Sequence, residues 1–95
     1  MEKQQIEITV LHQSRDGQTY RPVARVTVEG TNRNALLEGA YRLTNHVDRD
    51  YGEHTEVEML VEGGARSTSV GDLLVSRLGV YRVANVGYET VLEVL

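Results

Sequence analysis

The chain has 95 residues, of which 40% are hydrophobic and 25% are charged, and it contains no cysteine. This length and composition fit one domain spanning residues 1–95 and exclude a disordered chain, disulfides and thiolate metal sites. The net charge of -4, with both signs spread along the chain, argues against nonspecific binding to nucleic acid.

Two strands are predicted in the first third of the chain. Residues 5–11 alternate β-branched with polar side chains, and residues 23–29 repeat that pattern. The pair Asp16-Gly17 between them is typical of a hairpin loop, because glycine tolerates a positive φ. Pro22 is expected to open the second strand, where a missing N–H does least damage to the ladder. The side chains expected to face the core are Ile6, Ile8, Val10, Ala24, Val26 and Val28.

One amphipathic helix is predicted after Gly30. Thr31 or Asn32 can act as its N-cap, and both alternatives stay open. Gly39 lies inside the helix and costs about 1 kcal/mol relative to alanine, which indicates close packing on a sheet. The apolar stripe, which recurs at helical spacing over three to four turns, consists of Leu36, Ala40, Leu43 and Val47.

Strands also dominate the prediction for the second half of the chain. Residues 47–54 are charged and lack an apolar period, so an exposed loop is expected there. A third strand is predicted within residues 56–62, where glutamate alternates with apolar residues. Short connections then favour a final antiparallel meander, built from residues 72–75, 80–84 and 88–95. The predicted fold class is α+β, with one amphipathic helix packed on a mainly antiparallel sheet in the order ββαβ followed by two or three short strands.

The segment from Arg66 to Asp72 is the first candidate site. Its glycine, serine and threonine residues could present N–H and hydroxyl groups to an anion, with Arg66 as a bidentate ligand. No phosphate-loop motif is matched. The structural alternative is a turn in which Asp72 bonds the preceding backbone or Ser69 caps a short helical turn. The candidate binding residues of this segment are Arg66, Ser67, Ser69 and Asp72.

Metal binding and catalysis find little support in the sequence. Five possible metal ligands fall within nine residues, but they match no zinc or calcium spacing. The motif Gly-x-Ser-x-Gly is missing, and the three histidines are scattered along the chain. We therefore predict no enzyme, no catalytic residue, no metal site and no cofactor. The five clustered ligands are His46, Asp48, Asp50, Glu53 and His54.

Tyrosine and arginine supply the second candidate site. The five tyrosines are the only aromatic residues, and four of them have an arginine beside them or two residues away. These residue types dominate protein interfaces when they cluster. The alternative is that tyrosine rings edge an aliphatic core, with their hydroxyls reaching water. Tyr81 and Tyr88 are the candidate binding residues of this group.

Two runs in the C-terminal half form a pattern in which an Arg-Ser-x-Ser-Val-x-Asp turn leads into an apolar strand, and a Tyr-x-Val strand leads to a Gly-aromatic pair. This pattern resembles the signature of YodL-like domains, with Tyr88 where Phe is more usual. It also resembles small uncharacterised proteins of actinobacterial phages and other mobile elements. The similarity covers residues 41–91, and the first two strands match only as generic strands. The matching residues are Arg66, Ser67, Ser69, Val70, Asp72, Tyr81, Val83, Gly87 and Tyr88.

The family has no established catalytic residues, so the resemblance implies a context rather than a reaction. It implies a small accessory protein of a phage or plasmid that acts on a host component. The polar N-terminus and the lack of a long apolar run predict a cytoplasmic protein without a membrane partner. We expect it to bind a host protein, and a homodimer would supplement its small core. The alternative is a small-ligand or nucleotide binder that uses the turn at residues 66–72.

Overall fold

The computed structural model describes residues 2–45 and 55–93, which form one helix and an antiparallel sheet. The sheet has six strands in the order β3-β2-β1-β4-β5-β6, and every neighbouring pair is antiparallel. The α+β class is thereby confirmed. In chain order, the elements are β1 (Gln4–Gln13), β2 (Tyr20–Gly30), α1 (Arg33–Leu43), β3 (Val57–Met59), β4 (Leu73–Ser76), β5 (Gly79–Val83) and β6 (Tyr88–Glu93).

The hairpin of β1 and β2 follows the predicted alternation up to an irregularity. Gly17 in its loop has φ 73°, as the Asp-Gly pair predicted. The register shifts beside Val10, which pairs with Ala24, whereas the next residue of β1 pairs with Pro22. Val23 is therefore an extra residue in β2, and it is buried together with Ala24. Pro22 is the third residue of β2 rather than the first, because the broken ladder at the shift tolerates its missing N–H.

Helix α1 begins after Asn32, whose side-chain oxygen accepts a hydrogen bond from the Ala35 N–H at 2.9 Å. This settles the choice of N-cap. Gly39 faces β2, where an added Cβ would come within 3.3 Å of the Val28 Cγ1 atom. The missing side chain lets the helix approach the sheet closely, as the sequence indicated. The fully buried helix residues are Leu36, Leu37 and Ala40.

The third strand is shorter than the sequence predicted, and the next two strands have the predicted lengths within one residue of the predicted positions. β3 has three residues, and Val61 lies beyond its end. The meander of β4, β5 and β6 is present, and a second register shift lies beside Val80. Within residues 2–45 and 55–93, no helix has the length and apolar character that crossing a bilayer requires.

The core fills the space between α1 and one face of the sheet. Tyr81 differs from the expectation that tyrosines edge this core, because its ring is only 2% exposed. Its hydroxyl donates a hydrogen bond to the Leu78 carbonyl at 3.2 Å. The core residues are Ile6, Ile8, Val10, Val23, Ala24, Val26, Val28, Leu36, Leu37, Ala40, Val57, Leu74, Tyr81 and Val83.

Candidate functional site

The carboxylate of Asp72 is the centre of the turn that follows the Gly63-Gly64 pair. Asp72 is fully buried and accepts hydrogen bonds from the backbone N–H groups of Gln13 and Ser69, both at 2.8 Å. The guanidinium of Arg66 binds both carboxylate oxygens, at 2.7 and 2.8 Å. These four bonds satisfy a charge that would otherwise be costly to bury.

Arg66 also holds the turn against the end of β1. Its nitrogens donate to the Gln13 carbonyl at 3.1 Å, to the Ser67 carbonyl at 3.0 Å and to the Ser69 hydroxyl at 3.2 Å. Asp72 therefore occupies the bidentate position that the anion hypothesis assigned to a ligand. The arrangement matches the structural alternative, in which Asp72 bonds the backbone that precedes it.

The hydrogen bonds decide the ionisation of Asp72. Burial raises the pKa of this carboxyl, but Arg66 and the N–H groups of Gln13 and Ser69 lower it further, so the net pKa lies below the usual value. The carboxylate is consequently ionised throughout the neutral range. Its charge is balanced by Arg66 on one side.

His12 joins this network, although the sequence analysis did not single it out. Its Nε2 atom lies 3.0 Å from the Thr68 hydroxyl oxygen and 3.8 Å from an Asp72 oxygen. Burial lowers the pKa of His12, Asp72 raises it and Arg66 lowers it, and the net shift is downward. The alternation Ile6, Ile8, Val10 continues to position 12, so the pattern itself placed this imidazole on the core side.

Thr68 connects the same turn to the end of α1. Its N–H donates to the Thr44 carbonyl at 2.9 Å, and the Thr44 hydroxyl donates to the Ala40 carbonyl at 2.8 Å. Both threonines are buried. The segment from Arg66 to Asp72 thus ties β1, α1 and β4 together.

The candidate tyrosines lie apart from that turn. Tyr88 packs edge-to-face on Tyr41 at 6.5 Å, and its hydroxyl donates to the Glu38 carboxylate at 2.8 Å. Burial and the neighbouring Glu38 raise the pKa of Tyr88. The Arg33 guanidinium lies 5.5 Å from the ring centre of Tyr81, which is a core residue. These contacts fasten α1 to β5 and β6 rather than presenting two aromatic rings to solvent.

The sheet face opposite α1 carries ion pairs toward both edges and a row of aliphatic side chains near β6. Arg25 lies 3.5 Å from the Glu7 carboxylate and 3.0 Å from that of Glu58, and Arg82 lies 3.9 Å from the Glu89 carboxylate. Val75 pairs with Val80, which pairs with Leu92, so these side chains form one row across β4, β5 and β6. We call this row, together with Val91, the apolar row. Leu92 is 60% exposed and Val91 is 46% exposed.

The clustered metal ligands at positions 46, 48, 50, 53 and 54 lie outside the residues that the structure describes. Among the residues it does describe, no group of three or more histidine, aspartate or glutamate side chains is placed to hold a metal ion.

Comparisons of this chain with protein-family models, with curated proteins and with solved structures found no match.

Proposed function

We propose that this chain is a small non-enzymatic binding protein that captures another protein through β6 and the apolar row. The supporting observation is the exposure of Leu92 and Val91 on the terminal strand, where Leu92 is in register with Val80 and, through it, with Val75 on the uncovered face. Contiguous exposed apolar side chains on a sheet mark interaction sites. Burying a valine or leucine side chain completely contributes about 1.5–3 kcal/mol, so covering this row can drive association.

The two edges of the sheet differ in how far they resist pairing with another chain. β3 has three residues and carries Glu58, whose carboxylate is held by Arg25. β6 has six residues and contains neither lysine nor proline. Short charged edges discourage strand addition, whereas longer edges without lysine or proline are open to it. The pairing of β6 with β5 is interrupted only at the register shift beside Val80, where Val91 is the extra residue. We therefore expect the partner to place an extended segment along β6.

The glutamates of β6 do not by themselves decide the occupant. Glu89 lies 3.9 Å from Arg82 on the face opposite α1, and Glu93 lies 2.8 Å from Arg33 on the face that α1 covers. Both carboxylates therefore have a cationic partner within the chain. The proposed occupant is a different protein, and a homodimer is the competing outcome.

The context of this binding activity comes from the resemblance to YodL-like domains. It supports the proposal that the chain is an accessory protein of a phage or related mobile element, that it acts in the host cytoplasm and that its partner is a host protein. We also propose that the helix of this chain is amphipathic. The proposed order of elements along the chain is ββαβ followed by two or three short strands.

The alternative function is a small-ligand or nucleotide site at the turn of residues 66–72. The geometry favours this alternative less than protein binding. The Asp72 carboxylate already occupies both guanidinium nitrogens of Arg66 and accepts a hydrogen bond from the Ser69 N–H. A ligand there would have to displace a buried carboxylate from four hydrogen bonds.

Affinity capture with paired variants tests the proposed function. The bait is the full chain at micromolar concentration in a lysate of the source cell, with Leu92→Lys as the test variant and Val86→Lys as the control. Val86 is 93% exposed and lies in the loop before β6, so its substitution changes the charge equally without touching the apolar row. We expect Leu92→Lys to lose the specific partner and Val86→Lys to retain it. Equal retention by both variants would overturn the proposal.

A further inference from the structure

A cavity of about 330 Å³ opens at the hairpin end of the sheet, and the proposed protein-binding surface does not include it. It lies between the end of β1, the start of β2 and the segment that follows β3. Ligand pockets for small molecules begin at about this size. Its polar and apolar lining residues include His12, Thr19, Arg21, Val23, Val61 and Gly64.

His12 and Arg21 are direct cross-strand partners in the hairpin, so their side chains leave the same face of the sheet as neighbours. Arg21 is exposed and makes no ion pair with the residues that the structure describes. The carboxylate of Asp72 is paired with Arg66, so it does not neutralise the positive charge of Arg21. The cavity therefore has a positive group at its rim.

His12 places a hydrogen-bonding atom on the floor of the cavity. Its side chain is only 8% exposed, and its Nε2 atom points to the Thr68 hydroxyl and the Asp72 carboxylate. The other ring nitrogen, Nδ1, makes none of the hydrogen bonds found among the described residues. Every buried side-chain nitrogen or oxygen in that part of the chain has a partner, so Nδ1 is not buried and reaches solvent in the cavity that His12 lines.

The Asp72 carboxylate decides which tautomer of His12 is favoured. The Thr68 hydroxyl can donate to Nε2 or accept from it, whereas the carboxylate 3.8 Å away stabilises a hydrogen atom on Nε2, and a neutral imidazole then presents Nδ1 as an acceptor. The cavity thus offers a cation at its rim, an uncharged acceptor on its floor and the valine side chains of residues 23 and 61 as walls.

We propose that this cavity binds a small α-hydroxy carboxylate. Arg21 binds the carboxylate, His12 Nδ1 accepts a hydrogen bond from the hydroxyl group, and Val23 and Val61 contact the aliphatic carbon. The inference is independent of the proposed protein-binding function, because β6 and the apolar row lie on the opposite face and at the other edge of the sheet.

The test is a titration of the full chain followed by amide chemical shifts, with lactate as the probe and propionate as its matched control. Propionate keeps the carboxylate and the aliphatic carbons but lacks the hydroxyl donor. We expect lactate to shift the amide signals of His12, Arg21 and Gly64. Propionate should bind about fivefold more weakly, the effect of one hydrogen bond worth about 1 kcal/mol.

Two arginine variants complete the test. Arg21→Ala should weaken lactate binding by about tenfold or more, because a charge-assisted contact is lost. Arg25→Ala lies on the same strand and removes the same charge away from the cavity, so it should bind lactate like the unmodified chain. The proposal is overturned if lactate at about 50 mM, well above millimolar affinities, shifts no cavity signals. It is equally overturned if lactate and propionate bind alike, or if Arg21→Ala binds as the unmodified chain does.

Discussion

At the scale of single residues, Asp72 is the group on which the most structure depends. It is buried, it is charged, and its four hydrogen bonds come from β1, from Ser69 and from Arg66. A turn that the sequence left open between ligand binding and structure is thus organised by one carboxylate. The same carboxylate lies beside His12 and helps to define which nitrogen of that ring faces the cavity.

Replacing Asp72 with asparagine should destabilise the protein strongly. Asparagine keeps the shape but removes the charge that binds Arg66, and one of its two terminal atoms is a donor that would face the N–H groups of Gln13 or Ser69. We expect a loss of about 2–3 kcal/mol in the free energy of unfolding, measured by urea denaturation. Glu58→Gln is the control, because its exposed ion pair should contribute less than about 1 kcal/mol. Equal losses for both variants would contradict the central role of Asp72.

His12 should make stability depend on pH in the mildly acidic range. Its folded pKa lies below 6.5 because burial penalises the charged ring. The unfolded chain therefore binds more protons between the folded pKa and 6.5, so this contribution to stability is complete above pH 6.5 and is lost as pH falls through the folded pKa. The depressed pKa of Asp72 adds a second loss at lower pH, in the same direction.

Thermal unfolding between pH 8 and pH 4 measures this effect. The melting temperature should fall as pH decreases below about 6.5, and His12→Gln should flatten that part of the curve. A profile for His12→Gln that keeps the same slope between pH 6.5 and pH 5 would assign the loss to another group.

At the scale of elements, the two register shifts determine which residues line the cavity at the hairpin end and which residues form the apolar row. The shift beside Val10 adds Val23 to the wall of the cavity and keeps Ala24 in the core. The shift beside Val80 leaves Val91 as an extra residue of β6 and brings Leu92 into line with Val80. An added residue changes which side chains share a face, so each shift exposes or buries residues that alternation alone would place elsewhere.

Gly79 is a position at which the pairing of β5 with β6 leaves no room for a side chain. It has φ 142°, and a Cβ there would collide with the Leu92 carbonyl oxygen of the neighbouring strand. Gly79→Ala should therefore separate β6 from β5 and cost more than the strain of an unfavourable φ alone, which is about 1 kcal/mol. Gly87→Ala is the control, because Gly87 also has a positive φ of 73° but open space around its Cβ position.

Hydrogen exchange distinguishes the two glycine variants. Gly79→Ala should accelerate exchange of the β6 amides and lower the melting temperature, whereas Gly87→Ala should lower the melting temperature less and leave β6 protected. Protection of β6 in Gly79→Ala equal to that of the unmodified chain would mean that the strand pair absorbs the extra methyl group.

At the scale of the whole molecule, one layer of helix covers one face of a six-stranded sheet. The opposite face is polar across β3, β2 and the first half of β1, where Glu7, Arg25 and Glu58 interact. Toward β6 it carries the apolar row beside the ion pair of Arg82 and Glu89. Val91 and Leu92 are exposed together on the edge strand, which is why the proposed partner lies there.

Self-association of the chain is the outcome that competes with capture of a different protein. We expect the unmodified chain to sediment as a monomer at micromolar concentration. A tight dimer that Leu92→Lys dissociates and Val86→Lys preserves would contradict the assignment of β6 to a different protein, because Leu92 belongs to the apolar row and Val86 does not.

Local patterns in the sequence were enough to predict the first three elements of this protein. Alternating β-branched residues predicted β1 and β2, the Asp-Gly pair predicted their loop, and the polar residues after Gly30 predicted where α1 begins. These features depend on neighbours within a few positions, so local backbone preferences and side-chain periodicity are sufficient to reveal them. Position 12 lies one residue beyond the predicted first strand, and its burial on the core side continues the same period of two.

The tertiary structure alone decided which residues meet. Arg66 and Asp72 could have served a ligand, but the end of β1 supplies the Gln13 groups that complete an internal network. The pairing of His12 with Arg21 and the line from Val75 to Leu92 depend on cross-strand register. Register is fixed by the packing of the whole sheet and by its bulges, because one extra residue reverses the face of every side chain beyond it. Local sequence patterns contain no measure of that pairing.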